Sequence, residues 1–172
     1  MSAPLMGQMM DQPLIVSTLL AHAERFHGDG EIVSRRVEGD IHRYTYADAA
    51  KRARQVAHAL DRLDIPEGNR VGTLAWNGYR HFELYYGVSG SGRVLHTINP
   101  RLHPEQVAWI INHAEDEALC FDLTFLPIIK AIHAHCPGVK RWIALCDGSA
   151  LPADSGIPNL LAYEAWIAGE PD

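Results

Sequence analysis

Hydrophobic and polar residues follow two different periods along this chain, and the periods separate predicted helices from predicted strands. Apolar residues three or four positions apart are typical of a helix face, whereas short continuous or alternating apolar runs are typical of strands. The first pattern predicts helices at Leu14–Phe26, Ala49–Leu63, Phe82–Gly90, Pro104–Ala114, Phe125–His135 and Leu160–Ile167. The second predicts strands at Glu31–Arg36, Ile41–Thr45, Val71–Trp76, Val94–Ile98, Ala118–Phe121 and Arg141–Leu145.

Signals at the element ends support this assignment. Ser17 is a candidate N-cap for the first helix, and Gly28 is a stop signal just beyond its last apolar residue. The acidic, glycine-containing stretch Glu38–Asp40 separates the first two strands, which predicts a hairpin. Thr45 and Asp48 have the spacing of a capping box, so a long helix is expected to follow them.

The order of the elements predicts the fold class. From Val71 to Leu145 strands alternate with helices, and strands joined through a helix pair in parallel with right-handed crossovers. We therefore expect an α/β fold, with a parallel sheet and crossover helices preceded by a helix and a β-hairpin. We divide the chain into an N-terminal helix and hairpin at residues 1–46 and an α/β subdomain at residues 47–172. Asp147–Pro158, rich in Gly, Pro, Ser and Asp, is the expected linker.

Composition and charge exclude several classes of protein. The chain has 172 residues, 47% of them hydrophobic, and a formal net charge of −6, which disfavours a nucleic acid partner. It has no apolar run long enough to span a membrane, and Met1–Gln12 contains no Lys or Arg, unlike a secretory signal. Cys120, Cys136 and Cys146 are odd in number and lack C-x-x-C spacing. We interpret them as buried apolar residues and expect a cytoplasmic location.

Most motifs that could carry chemistry lack the required context. The glycines from Gly87 to Gly92 follow a predicted helix and precede a strand, the reverse of the order in a phosphate-binding loop, so we interpret them as a helix stop. His133 and His135 are two positions apart and would face different directions on a helix, so we predict no metal site there. No serine lies in a G-x-S-x-G motif, so hydrolysis is unsupported.

One edge of the predicted sheet is a candidate ligand site. Ligands of open parallel sheets bind outside the carboxyl ends of the strands, where the loops Trp76–Gly78 and Ile98–Arg101 are expected to lie. Pro100 favours an extended Asn99 and a rigid exit from the strand. Arg101 beside this turn is suited to a phosphate group. The alternative is a solvated arginine near an acidic neighbour such as Glu105.

Two adjacent segments carry a resemblance to a known family. Residues 80–102, RHFELYYGVSGSGRVLHTINPRL, and residues 104–116, PEQVAWIINHAED, resemble the N-terminal region of acyl-CoA synthetases. These enzymes belong to the adenylate-forming, or AMP-binding, superfamily, and the similarity is greatest to bacterial medium- and long-chain fatty-acyl-CoA ligases. The resemblance extends to the helix start at Thr45–Asp48 and to the segment Met10–Leu20. It implies an incomplete, N-terminal part of the adenylate-forming ligase fold.

The resemblance also implies a reaction. Members of this family join a carboxylate to ATP, release pyrophosphate from an acyl-adenylate, and transfer the acyl group to CoA. The parent enzyme is thus expected to use ATP, Mg²⁺ and CoA on a fatty acid or a related carboxylate, with aromatic and short sulfur-containing acids as alternatives. The family's phosphate loop, magnesium-binding Glu and C-terminal catalytic Lys do not occur in this sequence. We therefore expect a truncated fragment without catalytic residues, inactive alone and without tight cofactor binding.

Two further expectations come from the resemblance. The loop at Asn99, Pro100 and Arg101 corresponds to one beside the CoA tunnel, which implies contact between Arg101 and a CoA phosphate. Relatives form homodimers through N-terminal segments, which makes residues 1–46 a candidate dimerisation segment, and apolar surface left uncovered in a fragment would favour self-association. The alternative to a ligase fragment is a free-standing, catalytically empty α/β binding or dimerisation module.

Overall fold

The computed structural model describes Gly7 and residues 10–172. Its helices are α1 (Val16–His27), α2 (Tyr46–Arg62), α3 (Tyr79–Gly90), α4 (Pro104–Ala114), α5 (Leu126–Ile132) and α6 (Tyr163–Ile167). Its strands are β1 (Glu31–Arg35), β2 (Ile41–Thr45), β3 (Arg70–Leu74), β4 (Val94–Thr97), β5 (Asp116–Phe121), β6 (Arg141–Ala144) and β7 (Leu160–Ala162). Residues 1–6, 8 and 9 lie outside the described residues. They belong to the segment Met1–Gln12 and to the start of the predicted unit 1–46.

The parallel sheet confirms the predicted α/β class. Strands β1 and β2 form an antiparallel hairpin, and the other five strands form one sheet in the order β4-β3-β5-β6-β7. Every pairing in the larger sheet is parallel. Its central strands β3, β5 and β6 are buried on both faces because helices cover both, which explains their mostly apolar sequences. No helix between residues 10 and 172 has the length and apolar character needed to cross a membrane.

Strand β5 shows how the sheet divides the core into two layers. Leu119 and Phe121 point to the face covered by α4 and α5, whereas Ala118 and Cys120 point to the face covered by α2, α3 and α6. This alternation follows from the two-residue period of a strand. All three cysteines are buried and free, as predicted.

The helix ends confirm the strongest capping prediction and correct a weaker one. The Asp48 amide donates to Thr45 Oγ1 at 3.2 Å and the Thr45 amide donates to Asp48 Oδ2 at 2.9 Å, which completes the capping box. The N-cap of α1 is Ile15, so the prediction of Ser17 is wrong. Ser17 lies inside the first turn, where the Thr18 hydroxyl donates to the Ile15 carbonyl at 2.6 Å.

Two predicted helices in the second half are only partly helical. The segment Leu160–Ile167 contains strand β7 before helix α6, so the prediction of one helix there is wrong. The apolar run Leu160–Ala162 pairs with β6, a tertiary contact that a short apolar run does not reveal. The predicted helix Phe125–His135 is α5 flanked by 3₁₀ turns at Leu123–Phe125 and His133–His135. The predicted linker contains a 3₁₀ turn at Gly148–Ala150.

The hairpin and α1 pack differently on the rest of the chain. Gly78 precedes α3 and has no side chain to cap it, and instead the Tyr79 amide donates to Ser34 Oγ of the hairpin at 3.1 Å. Helix α1 has no buried residue and leaves Leu19 63% and Phe26 61% exposed. The hairpin therefore caps the N-terminal end of α3. Helix α1 packs on the outside of α2 and α3 and presents an apolar face to solvent.

Candidate functional site

The candidate site lies at the carboxyl edge of the parallel sheet, where the sequence placed it. Strands β3 and β4 are neighbours and parallel, so the loops that follow them, Trp76–Gly78 and Ile98–Arg101, leave the same edge. Strands β5 and β6 also end at this edge, with Asp122 and Leu145 directly after them. Ligands of open α/β sheets bind at such edges. Four consecutive strands therefore contribute loops to one surface.

The Asn99–Arg101 loop is a short, internally bonded turn with an exposed arginine. The Ile98 amide donates to the Thr73 carbonyl at 2.8 Å, and the nearly buried Ile98 side chain fixes the start of the turn. The Arg101 amide donates to Asn99 Oδ1 at 3.0 Å, and the Leu102 amide donates to the Asn99 carbonyl at 3.3 Å. Arg101 is exposed and takes part in none of the ion pairs found among residues 10–172.

The Trp76–Gly78 turn is held by a buried carboxylate that sequence reasoning missed. The Trp76 amide donates to Asp122 Oδ2 at 2.6 Å, and the Trp76 indole N–H donates to Thr124 Oγ1 at 3.1 Å. Burial raises the pKa of Asp122 to about 6, although the bond from the Trp76 backbone opposes this. The available signal was the position of Asp122, directly after an apolar strand at the carboxyl edge.

His81 supports the same turn from inside helix α3. Its Nδ1 lies 3.1 Å from the Trp76 carbonyl oxygen, which can only accept, so Nδ1 carries the proton. Its Nε2 lies 3.1 Å from Thr73 Oγ1 and in the neutral ring accepts from that hydroxyl. Burial lowers the pKa of His81 and so favours this neutral form. His81 therefore connects the turn to strand β3 as a buried structural group.

Arg80, next to His81, is the centre of a buried ionic network. Its guanidinium donates to Glu38 at 2.8 Å, Glu164 at 2.8 Å and Asp147 at 2.9 Å, and also to the Leu145 carbonyl at 2.9 Å. These partners lie on the hairpin turn, helix α6 and the segment after β6. Because they are far apart in sequence, spacing gave no sign that Arg80 would join them.

Glu83, one turn further along α3, is fully buried in the same layer. Its Oε1 accepts from Arg52 Nε and its Oε2 accepts from the Tyr163 hydroxyl, each at 2.7 Å. Burial raises the pKa of Glu83, against the opposing effect of the Arg52 charge. Both carboxylate oxygens are satisfied by side chains of α2 and α6, so Glu83 joins helices and is not directed at a ligand.

The space enclosed at this edge is small. The cavity between the hairpin and the Trp76–Gly78 turn has a volume of about 30 Å³, and the adjoining groove between β1 and α3 has about 290 Å³. Ligand pockets commonly have about 300–1,000 Å³, so neither space alone would enclose a nucleotide. Within residues 10–172 no three His, Cys, Asp or Glu side chains converge as a metal site.

The glycine cluster and the histidine pair take positions that fit no phosphate or metal role. Gly90 ends α3, and Gly92 has a φ of 77°, which only glycine adopts readily, so the interpretation as a helix stop is confirmed. Gly87 lies inside α3, where a Cβ atom would come within 2.7 Å of the Ala53 carbonyl oxygen. It thus allows α3 to approach α2 closely. His133 and His135 lie in a 3₁₀ turn.

Comparison with curated proteins identifies relatives that extend well beyond this chain. The chain is 49% identical over 163 residues to a 3-methylmercaptopropionyl-CoA ligase of Ruegeria lacuscaerulensis. It is 44% identical over 163 residues to a medium-chain-fatty-acid–CoA ligase of Ectopseudomonas oleovorans. It is 41% identical over 165 residues to a long-chain-fatty-acid–CoA ligase of Thermus thermophilus. Each alignment covers 95% of this chain, which spans about 30% of the relatives' length.

Solved structures and a family model agree with these relatives. An anthranilate CoA ligase, AuaEII, superimposes with a TM-score of 0.76 at 21% identity, covering 94% of this chain and 29% of that one. A fatty acyl CoA synthetase of Mycobacterium tuberculosis gives 0.70 at 24% identity, covering 91% and 28%. The fold is thus part of the adenylate-forming ligase fold. A family model described as AMP-binding enzyme matches residues 19–156, and the chain therefore belongs to the AMP-binding enzyme family.

Proposed function

We propose that this chain forms the N-terminal part of an ATP-dependent acyl-CoA ligase. The enzyme would convert a carboxylate, ATP and CoA to acyl-CoA, AMP and pyrophosphate through an acyl-adenylate. The observation that carries this proposal is the identity of 41–49% to CoA ligases across 95% of the chain, including the loops of the carboxyl edge. The 172 residues alone would be inactive, because they correspond to only about 30% of the length of those ligases.

The substrate class follows from the relatives' names. Those proteins are named for medium-chain fatty acids, long-chain fatty acids and 3-methylmercaptopropionate, all of which are carboxylates with an apolar chain. We infer a fatty acid or a related carboxylate for the enzyme that contains this chain. The parent enzyme would use ATP, Mg²⁺ and CoA. Our candidate partner for a CoA phosphate is Arg101, which is exposed and takes part in none of the ion pairs among the described residues.

The Asn99–Arg101 loop is the proposed CoA contact. Asn99 and Pro100 shape a turn bonded to itself and to β3, and Arg101 extends from it with its guanidinium in solvent. A planar guanidinium bonds phosphate oxygens in a bidentate way, and a fixed backbone reduces the entropy lost on binding. Glu105, the acidic neighbour that could have neutralised it, lies 4.0 Å from His103 and forms no ion pair with Arg101.

The two half-reactions of the enzyme containing this chain test that contact. Arg101→Ala should raise the CoA concentration required for thioester formation by roughly tenfold, as expected for losing a hydrogen bond to a charged group. It should leave carboxylate-dependent exchange of pyrophosphate into ATP nearly unchanged. Arg101→Lys, which keeps the charge without the planar fork, should give an intermediate effect. Equal losses in both half-reactions would indicate a structural role and contradict the proposed contact.

We also propose that the enzyme is a homodimer whose interface includes α1. Leu19 is 63% and Phe26 61% exposed on one side of this helix, and Leu14, just before it, is 90% exposed. A second copy would remove them from water. Light scattering on the enzyme containing this chain should give the mass of a dimer. Leu19→Gln with Phe26→Gln should shift it toward a monomer. A monomeric mass for the unmodified enzyme would overturn this proposal.

A cytoplasmic location is the last part of the proposal. Three buried free thiols suit a reducing compartment, in which disulfides are rare. Fractionation of the source cells, with antibody detection of the enzyme, should place it in the cytoplasmic fraction. Recovery in an oxidising compartment would contradict this.

A further inference from the structure

A polar bridge crosses three strands of the sheet, from His96 in β4 past Gly72 in the middle of β3 to Asp116 at the amino end of β5. His96 on β4 places Nδ1 at 3.0 Å from Oδ1 and 2.8 Å from Oδ2 of Asp116 on β5, so the ring N–H donates to a carboxylate. Strand β3 lies between them in the sheet. The Asp116 side chain is fully buried, and that of His96 is 25% exposed. The bridge therefore spans two strand spacings, roughly 10 Å.

Gly72 makes this crossing possible. It is the β3 residue paired with His96, and a Cβ atom placed there would meet Leu119 Cδ1 at 2.5 Å and Asp116 Oδ2 at 2.8 Å. The carboxylate thus occupies the space of the missing side chain. Gly72 does not have a positive φ, so the requirement for glycine here is one of space and not of backbone conformation.

A β-bulge in β5 turns the Asp116 carboxylate toward the space beside Gly72. Asp116 pairs with Arg70 and Leu119 pairs with Gly72, so β5 has an extra residue between these pairs. Such bulges turn a side chain toward the other face of a strand. Without the shift, Asp116 would share a face with Ala118, away from Gly72. Bulge, glycine, histidine and carboxylate therefore form one arrangement.

The arrangement matters because the pattern of β4 itself gives little specification of its alignment, although Arg93 and Ile98, which flank the strand, are buried. This strand is four residues long and lies at the sheet edge, with exposed residues at both ends and half-buried residues between them. Register is specified weakly where no clear apolar face is buried. A shift by one residue would place Leu95 or Thr97 opposite Gly72, and neither side chain can donate across a strand to Asp116. Only the observed register completes the bridge.

We propose that Gly72, His96 and Asp116 form a cross-strand bridge that sets the register of β4 and thereby positions the Asn99–Arg101 turn. Arg101 follows His96 by five residues, so a slip of one residue in β4 moves the start of the turn by roughly 3.3 Å along the strand. The three are proposed as positioning residues, because they contact one another and would act on CoA only through the Asn99–Arg101 turn. Their bearing on CoA rests on the proposed function, whereas the bridge itself can be tested without CoA.

Amide hydrogen exchange of the 172-residue chain, followed by NMR, tests the bridge. The Ile98 amide, bonded to the Thr73 carbonyl, reports on the end of β4, and the Leu145 amide, bonded to the Phe121 carbonyl, reports on the sheet centre. His96→Leu should accelerate exchange at Ile98 by at least about tenfold more than at Leu145, because a charge-assisted hydrogen bond is lost. His96→Asn, whose amide N–H can replace Nδ1–H, should stay close to the unmodified chain.

A double variant distinguishes the loss of strand register from the cost of leaving the Asp116 carboxylate buried and unpaired. His96→Leu with Asp116→Leu leaves no unpaired buried carboxylate, so the sheet should fold while the bridge is absent. Amide exchange at Ile98 should be fast in this variant as well. His58→Leu, on the exposed side of α2, is the matched control and should change neither amide. Equal acceleration at Ile98 and Leu145, or slow exchange at Ile98 in the double variant, would overturn the bridge whatever the CoA measurements show.

Discussion

At the scale of single residues, Arg80 carries the largest predicted effect on stability. Its buried guanidinium pairs with Glu38, Asp147 and Glu164. Arg80→Met should lower the free energy of unfolding by about 1.5–3 kcal/mol, the range for hydrogen bonds to charged groups. Glu38 would lose its partner, whereas Glu164 would keep its bonds from Arg52 and Tyr79. Urea unfolding at equilibrium measures this change.

Arg43 provides the matched control for Arg80. It pairs with Glu31 at 2.7 Å on the exposed face of the hairpin, where both side chains are more than half exposed. Arg43→Met should cost less than about 1 kcal/mol, as is usual for surface ion pairs. Similar losses for the two variants would mean that the Arg80 network contributes no more than a surface pair.

His81 predicts a pH dependence with a definite sign. Burial lowers its pKa in the folded state, so folding favours the neutral ring. Its contribution to stability is therefore fully present above the ordinary histidine pKa of about 6.5 and is lost as the pH falls below this value to the lower pKa of the folded state. Between about pH 7.5 and 5.5, the unmodified chain should lose more stability than His81→Asn, whose amide can still donate to the Trp76 carbonyl. Parallel losses would contradict this assignment.

The residues that sequence could and could not identify differ in how local their partners are. The exposed turn that carries Arg101 could be predicted because it is specified by the neighbours Asn99 and Pro100, while the role of Arg101 stays a prediction. The bonds of Arg80 and Glu83 could not be predicted, since their partners lie 31 to 84 positions away along the chain. The packing of the hairpin, α2, α6 and the segment after β6 against α3 brings those groups together.

At the scale of elements, the capping box of α2 gives a measurable prediction. The Thr45 side chain accepts from the Asp48 amide and the Asp48 carboxylate accepts from the Thr45 amide. Thr45→Ala should cost about 1 kcal/mol of unfolding free energy. Thr45→Ser keeps the hydroxyl and should stay near the unmodified value. If both variants behaved alike in urea unfolding, the hydroxyl would have no role in starting the helix.

Elements with end signals of their own were predictable, and those defined by pairing were not. The hairpin has a turn signal, α2 has a capping box and α4 has an N-terminal proline, and each of these signals acts locally. Strand β7 has three residues and exists because β6 offers it an open edge. Its apolar run is compatible with the start of a helix, so periodicity alone assigned it wrongly.

At the scale of the whole molecule, the chain has two apolar layers around a parallel sheet but encloses little space at the carboxyl edge. The layers account for central strands that are buried on both faces. The loops that would bind a ligand converge at that edge, yet its cavity of about 30 Å³ could hold about one water molecule. A scaffold with a presented arginine and a small cavity fits the proposed role of one part of a larger ligase.

Carboxylate-dependent exchange of pyrophosphate into ATP tests this account most directly. The enzyme that contains this chain should catalyse the exchange with a fatty acid and, on addition of CoA, release acyl-CoA and AMP. The purified 172-residue chain should show no exchange above a blank without protein. Exchange by the 172-residue chain alone, or its absence from the larger enzyme with every carboxylate of the proposed class, would contradict the account.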